Sequence, residues 1–418
     1  MGHSSFLLQL RNWFLHHKIQ QEHTAMKSKR LRKGERASLD IISALPQTIL
    51  ETILCFLPTE EAARTSILSR EWRYKWTKIP TLEFHLSQVS KRISKEKQVQ
   101  GINMDTRCKP FYDLLYQILL LHQGPIHEFT LVIDLWIKDQ DTFGFDQIVL
   151  HLSKNHTVKK LTILGTHGLH LYNLPISVFS LHHLTDLDLF CFDLDHQPMF
   201  NGFDSLRSLS LQNVGISTKT LLHLLSNCPS LKSFILSINE DHLDDRDCAV
   251  IELFKCLPMI EDLTTYSYVF QWLVLDSVPK ELPTSLFHLK YFCLEDMCFV
   301  DGYGLGFLLV LIKCSPNLEK IKLKIDWDHD CYEEYPVVWE EYSDVWLEHL
   351  NELEIECFSN STPEMEFVKF ILARSPKLKK VSFIRCVVPG KEKLEMLEVL
   401  LRAPRASPVR IDVKSWRR

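Results

Sequence analysis

One pattern returns ten times along this chain: an apolar residue, two others, an apolar, one other, an apolar. It begins at Ile126/Phe129/Leu131, Val158/Leu161/Ile163, Leu184/Leu187/Leu189, Leu206/Leu209/Leu211 and Leu231/Phe234/Leu236. It continues at Ile260/Leu263, where Thr265 is polar in third place, then at Leu289/Phe292/Leu294 and Leu318/Ile321/Leu323. It ends at Leu350/Leu353/Ile355 and Leu378/Val381/Phe383. The intervals average about 28 residues and range from about 22 to 32, so the repeats are irregular. One isolated match would carry no information; ten at this spacing require a repeat architecture.

Between the matches lie apolar segments that stop in the same way. Thr220–Leu225 leads to Asn227-Cys228-Pro229, Phe307–Ile312 to Cys314-Ser315-Pro316, Phe367–Leu372 to Ser375-Pro376, and Val250–Cys256 to Pro258. Proline has no N–H to donate and disfavours the helical conformation in the residue before it, so each helix ends ahead of the next strand. A strand and a helix per period is the signature of leucine-rich repeats, in which no unit buries its apolar face alone and stacked units share one core. The expected fold is α/β: a solenoid with parallel strands on the concave face and helices on the convex face.

Ahead of the repeats stands a dense apolar block from about Asp40 to Trp76. Leu45-Pro46 opens a helix, with proline where its missing N–H costs nothing. Ile49, Leu50, Ile53, Leu54 and Leu57 then form a broad apolar stripe, and Pro58 stops the helix. Thr59 is placed to cap a second helix, with Glu60 and Glu61 at its positive end. Ala62, Ala63, Ile67 and Leu68 extend the apolar surface, and Ser69 is placed to cap a last short helix carrying Trp72 and Trp76. So short a block cannot build a stable core by itself. Its surface either meets another protein or caps the first repeat.

The block resembles the F-box, through Asp40, Ile42-Ser43, Leu45-Pro46, Ile49-Leu50, Ile53-Leu54, Phe56–Thr59, Ala62-Ala63, Thr65-Ser66, Leu68–Arg70, Trp72 and Trp76. Trp339, Leu347, Leu350, Phe367-Val368, Ile371-Leu372, Ser375-Pro376 and Leu378–Val381 resemble the FBD domain more loosely. The chain as a whole is similar to the plant F-box/FBD/LRR-repeat proteins. The expected divisions are a basic arm (1–38), the F-box (39–78), a connector (79–110), leucine-rich repeats (111–335) and an FBD-like region continuing them (336–415).

The resemblance implies the substrate-recognition subunit of an SCF-type ubiquitin ligase, binding a Skp-type adaptor, and through it a cullin–RING ligase, by its F-box and a target protein by its repeats. It implies adaptor contacts at Leu45, Pro46, Ile49, Leu50, Ile53, Leu54, Leu57, Pro58, Ala63, Leu68, Trp72 and Trp76. Gln47 departs from the pattern, because a carboxylate commonly follows Leu-Pro. Two other roles stay open: a non-degradative F-box scaffold, and a repeat interaction module with no ligase link.

Composition narrows the alternatives. A net charge of −5 argues against a nucleic-acid partner, although residues 1–38 hold eight basic residues against Glu22 and Glu35. Such an arm suits a nuclear import signal, an acidic partner or a solvated tail. No apolar run is long enough to cross a bilayer, and no signal-peptide core is apparent, so no membrane role is expected. The twelve cysteines include no Cys-x-x-Cys pair, which suits reduced thiols in the nucleus or cytoplasm.

No cofactor, metal or catalytic residue is expected. Gly302-x-Gly304-x-Gly306 has the wrong spacing for a dinucleotide, and no phosphate-binding loop, nucleophile elbow or zinc-binding helix motif occurs. Asp326-x-Asp328-x-Asp330 fails as a calcium loop, because Cys331 replaces the glycine and Val337 the bidentate glutamate. The polar strand positions offer a target surface instead. Lys320, Lys322 and Lys324 should lie beside Glu352, Glu354 and Glu356, either as an intrasheet charge ladder or as a recognition surface. Trp339 and Tyr342, from an acidic aromatic-rich stretch, either join that surface or pack on the FBD-like region.

Overall fold

The computed structural model describes residues 42, 45–85, 108–134, 142–166, 171–195, 202–239, 250–273, 279, 281–282, 285–299, 302–325, 339–386, 388 and 390–415. The chain divides into two compact units, Met1–Leu50 and Glu51–Arg418. In the first, Pro46 starts helix Gln47–Cys55: its carbonyl accepts the N–H of Ile49 at 3.0 Å and of Leu50 at 3.1 Å. The expected basic arm lies outside the described residues.

Among the described residues the second unit is organised by fourteen strands. In chain order they are β1 (Thr81–His85), β2 (Glu128–Asp134), β3 (Lys160–Thr166), β4 (Tyr172–Asn173), β5 (Asp186–Phe190), β6 (Phe192–Asp193) and β7 (Ser208–Val214). Then come β8 (Ser233–Ile238), β9 (Asp262–Tyr266), β10 (Tyr291–Met297), β11 (Lys320–Ile325), β12 (Glu352–Glu356), β13 (Lys380–Cys386) and β14 (Arg410–Ser415). β4 and β6 make a small parallel pair; the other twelve form one sheet in chain order. Every pairing in that sheet is parallel, so the architecture is the expected α/β repeat array.

All ten sequence matches are strands of this sheet. Their second and fourth positions point into the core: Phe129 and Leu131, Leu161 and Ile163, Ile321 and Leu323 are fully buried. The first and last strands were not anticipated. β1 lies inside the expected connector, where Ile79, Leu82 and Phe84 fit the same pattern and are buried. In β14, Ile411 and Val413 are in register with Val381 and Phe383 but only half-buried, because no further strand covers them among the described residues.

A second regularity lies just before each strand. The carbonyl of the residue preceding a strand accepts two N–H groups from the next coil. Pro80 receives His127 and Glu128, His127 receives Lys159 and Lys160, Lys159 receives Thr185 and Asp186, and Thr185 receives Arg207 and Ser208. The series continues through Arg207, Lys232, Glu261, Lys290, Glu319 and Asn351, and Lys379 takes one bond from Arg410 at 3.0 Å. Coils of different length are thereby brought to the same height, and the strands start in register.

At the other end, Cys191, Asn213, Asp296, Cys357 and Arg385 have positive φ, each at the sixth position counted from a strand's start. The register shifts of β7, β10 and β13 fall at these residues. Asn213 tolerates the conformation and uses its amide: it donates to the Cys191 sulfur at 2.9 Å and accepts from Asn239 at 2.9 Å.

Helices close the coils on the core side. Helix Gly302–Cys314 is almost wholly sunk, with Phe307–Ile312 buried without interruption. Helix Thr362–Arg374 starts at buried Glu364, whose carboxylate accepts Ser359 N–H at 2.9 Å, Ser361 N–H at 3.3 Å and Ser359 Oγ at 2.7 Å. Burial nonetheless pushes that carboxyl upward, against those hydrogen bonds. Among the described residues seven cysteines are free thiols, but Cys298 is disulfide-bonded, which departs from the all-reduced expectation.

Thr265 is the irregular position. It fills an apolar site lined by Phe234, Leu236, Leu263 and Phe270, and its hydroxyl has no hydrogen-bond partner. An unpaired buried hydroxyl costs on the order of 1–3 kcal/mol. Thr265→Val keeps the shape and removes that penalty, so urea denaturation should show a gain of about 1 kcal/mol. An unchanged or lower midpoint would mean that the hydroxyl is satisfied.

Candidate functional site

The helical block uses its apolar side chains in two directions. Leu50 and Leu54 are buried, and so are Ala62, Trp72 and Trp76. Ile49 and Ile42 are exposed in the first unit. In the second unit Ile53, Phe56, Leu57, Ile67, Leu68 and Tyr74 are exposed, Phe56 at 84% and Leu68 at 66%. Leu45 and Ala63 are half-buried, and Pro46 and Pro58 are exposed. The expected adaptor set is therefore mixed. Leu50, Leu54, Trp72 and Trp76 are core residues of this chain and present no surface, because helix Gln47–Cys55 buries one side of its stripe.

Four exposed apolar residues fell outside the expected set: Ile42, Phe56, Ile67 and Tyr74. Phe56 follows the end of helix Gln47–Cys55, so helical periodicity does not place it with the stripe. Ile67 closes the short 3-10 helix Thr65–Ile67, and Tyr74 lies on the 3-10 helix Trp72–Lys78 between the buried tryptophans. The alternation of buried Trp72 and Trp76 with exposed Tyr74 was the available signal.

Local hydrogen bonds hold the block in shape. Thr65 Oγ1 donates to the Ala62 carbonyl at 2.6 Å, and Arg64 pairs with Glu61. Ser69 Oγ accepts the Trp72 N–H at 3.4 Å, a long version of the expected cap. Thr59 does not cap its helix, because its Oγ1 accepts the Glu83 N–H of β1 at 2.7 Å instead. Buried Thr59 thereby ties the block to the first strand.

The join is tight further along. The Thr77 carbonyl accepts Gln123 N–H at 2.8 Å and Gly124 N–H at 3.2 Å. A Cβ on Gly124 would sit 2.7 Å from the Lys78 carbonyl oxygen and 2.9 Å from its Cα, both backbone atoms. Only glycine lets these segments approach so closely. Gly124→Ala should therefore destabilise the chain by about 1–3 kcal/mol. Hydrogen exchange should locate the effect at residues 77–80; wild-type protection there would remove the close approach as its cause.

Beside that join, His122 places Nε2 2.9 Å from the Ile79 carbonyl and Nδ1 3.0 Å from the Gly124 carbonyl. Its ring lies 6.0 Å from that of His156, which lies 5.7 Å from His151. Burial lowers all three imidazoles, and the neighbouring rings push His156 further, down to about 4. The folded state thus favours neutral rings: their contribution is intact above about pH 6.5 and is lost as pH falls toward about 4. The urea midpoint should fall between pH 7.5 and pH 5.5, less steeply in His156→Gln. Equal slopes would exclude His156 as a source.

The strand face away from the core carries the expected charges. Lys320 lies 3.2 Å from Glu352 and Lys322 lies 3.3 Å from Glu354. Lys324 turns back to Glu295 at 2.9 Å, Arg385 takes Glu356 at 3.0 Å, and Lys380 takes Glu352 at 2.8 Å. The Lys380 hydrogen bond, with Lys320, holds Glu352 below the usual carboxylate range against burial. In Lys322 burial opposes the charge, but Glu354 and Glu356 outweigh it and the ammonium is raised. Lys320, Lys322, Glu352 and Glu354 thus satisfy one another as a ladder and Lys324 is held by Glu295, so a target would have to break existing pairs to reach them.

Three family models match the chain: F-box domain over residues 42–83, "FBD-associated F-box protein At5g56370, LRR repeats" over 147–246, and FBD over 346–383. The Arabidopsis thaliana F-box/FBD/LRR-repeat protein At1g13570 is 31% identical, over 89% of this chain and 97% of that protein. The chain belongs to the F-box/FBD/LRR-repeat family. A second Arabidopsis thaliana family protein, At3g26920, is 22% identical over 88% of this chain and 94% of its own length. The leucine-rich repeat-containing protein LegL7 of Legionella pneumophila overlaps 78% of this chain and 90% of its own at 14% identity and a TM-score of 0.35.

For an F-box/FBD/LRR-repeat protein, the F-box domain implies docking to a Skp-type adaptor. The FBD match takes in part of the surroundings of Trp339. That indole packs at a tilt against Phe370, with centroids 5.2 Å apart, and donates to Glu366 at 3.1 Å. Phe370 also lies under the Arg374 guanidinium, 4.6 Å from its centroid. Trp339 therefore packs on helix Thr362–Arg374, and Tyr342 is half-buried. Trp346, at 58% exposure, is the aromatic residue left facing outward there. Among the described residues no helix is long and apolar enough to cross a membrane, and no cluster of three side chains is arranged to hold a metal ion.

Proposed function

We propose that this protein is the substrate-recognition subunit of an SCF-type ubiquitin ligase, gripping a Skp-type adaptor with its F-box and a target protein with its repeats. The observation that carries the reading is the outward set Ile53, Phe56, Leu57, Ile67, Leu68 and Tyr74. Large apolar side chains left in water beside a well-packed core mark a surface made for another protein. The N-terminal cap alternative is served by other residues: Leu54, Thr59, Trp72 and Trp76 face inward, and Thr59 binds β1.

The work of such a subunit is positional. It holds a target lysine near a ubiquitin-charged enzyme and so raises the effective concentration of the two reactants. No catalytic side chain is required in this chain, and the nucleus or cytoplasm is the compartment proposed for it.

Burial decides which variants test the idea. Leu54→Lys would put a charge into the core and unfold the block, so it says nothing about docking. Phe56→Lys and Leu68→Glu change only surface. Each should weaken co-purification with a Skp adaptor by about 2 kcal/mol or more while the urea midpoint stays at the wild-type value. Adaptor recovery at wild-type yield in both variants would end the ligase reading.

A further inference from the structure

The outer face of the sheet changes character along its length. On β11, β12 and β13 the charges close on one another. On β1 through β9 they do not balance. At the first, third and fifth strand positions, Glu83, Glu128, Asp186, Asp188 and Asp262 stand against one lysine, Lys160. Glu83 is taken by His85 at 2.6 Å. Among the described residues no ion pair within 4.0 Å joins Lys160 to its strand neighbours Glu128 and Asp186. The Asp188 Oδ1 atom is buried and has no hydrogen-bond partner.

In this acidic stretch the fifth position is apolar on three consecutive strands. Val132 pairs with Leu164, and Leu164 with Phe190, before Gln212 ends the row. All three are half-buried on the face that the core does not use. Adjacent strands are about 4.8 Å apart, so the row spans roughly 10 Å, the length of three extended residues. Asp188 sits two residues before Phe190 on the same strand, beside Thr162 and Thr130, and Asp186 and Glu128 lie two residues further back at the strand starts.

We propose that this row and the carboxylates beside it are the target-docking patch, and that they take an extended target segment alternating lysine or arginine with aliphatic side chains. The proposal rests on the reading of the repeats as target-binding and adds the chemistry of the target. Each element of the segment answers one feature of the patch. Its aliphatic side chains cover Val132, Leu164 and Phe190. Its cations complement the carboxylate excess of Glu128, Asp186 and Asp188. The β11–β13 face offers neither a free charge nor such a row.

The probe is a short fluorescein-labelled peptide alternating arginine with leucine or valine, titrated by anisotropy into the full chain bound to its Skp adaptor. Two companion peptides replace arginine by glutamate, or the aliphatic residues by glycine. The arginine–aliphatic peptide should bind more tightly than either companion. The double variant Asp186→Asn, Asp188→Asn should weaken it by about tenfold or more, and so should Phe190→Ala, while Lys322→Ala changes nothing. Variant urea midpoints at the wild-type value assign these losses to the surface, and where Phe190→Ala lowers its midpoint, Leu164→Ser replaces it. Equal binding of a companion peptide overturns the patch, as does indifference to the Asp186/Asp188 pair or a larger loss in Lys322→Ala. Adaptor co-purification separates the two readings. A complex that forms but ignores the peptide removes the patch alone, whereas failure to form the complex removes the ligase reading.

Discussion

The array depends on one backbone carbonyl per coil, placed just ahead of each strand and shared between two N–H groups of the following coil. From Pro80 to Lys379 these carbonyls make a line held by backbone N–H groups, to which the Thr185 hydroxyl adds a bond on the Lys159 carbonyl at 3.1 Å. Parallel strands need long crossovers, and crossovers of unequal length would let neighbouring strands slip. A slip of a single residue would turn Leu161 or Ile321 outward and Lys160 or Lys320 inward. The shared carbonyl prevents it without requiring any particular residue, which is why Pro80, Thr185, Glu261 and Asn351 all occupy the place. Side chains there remain free for other use: Glu261 lies 2.6 Å from Lys232 and 3.1 Å from Lys290, whose hydrogen bonds draw its carboxyl down to about 2.

The same line begins in the F-box segment. Pro80 comes just after the 3-10 helix that carries the two buried tryptophans, and its carbonyl receives β2. Thr59, Thr77, His122 and Gly124 reinforce the join from separate elements. From Glu51 onward the F-box segment therefore continues the repeat core rather than hanging from it, and its exposed apolar residues keep a fixed bearing relative to the strands. A subunit that works by placement gains from that arrangement, because a loose join would spread the target over many orientations.

Much of this was legible in the sequence. A two-residue alternation with one buried face leaves a plain trace, so the ten inner strands could be read from their apolar positions. β1 has the same trace in Ile79, Leu82 and Phe84, but it stands too far from Ile126 to join the period. β14 lost its leading apolar position to Pro408. The F-box was legible as a block of apolar residues but not as a surface. Periodicity marks Leu50, Ile53, Leu54 and Leu57 alike; only packing decides that Leu54 goes inward while Ile53 and Leu57 stay out. The charge ladder was legible as adjacency, but not in the pairing that sends Lys324 back to Glu295 and leaves Glu356 to Arg385. The apolar row Val132–Leu164–Phe190 is visible in the strand alignment too, but only at the outward positions, where the repeat pattern places no demand.

The residues with positive φ at the far end of several strands have a consequence for how such a protein diverges. Cys191, Asn213, Asp296, Cys357 and Arg385 turn the chain off the sheet at a common level, regardless of the loop beyond. The loops on this rim vary in length: a few residues separate β7 and β12 from their helices, and many more lie beyond β8 and β11, which end without such a residue among the described ones. On the opposite rim most helix-to-strand turns are short, as before β3, β8, β11 and β13, with a longer one before β10. One rim is thus a fixed hem and the other an open margin, where sequence can be inserted or deleted without disturbing the alignment of the coils. Relatives that share the hem can therefore differ in the margin and present different outlines to different targets.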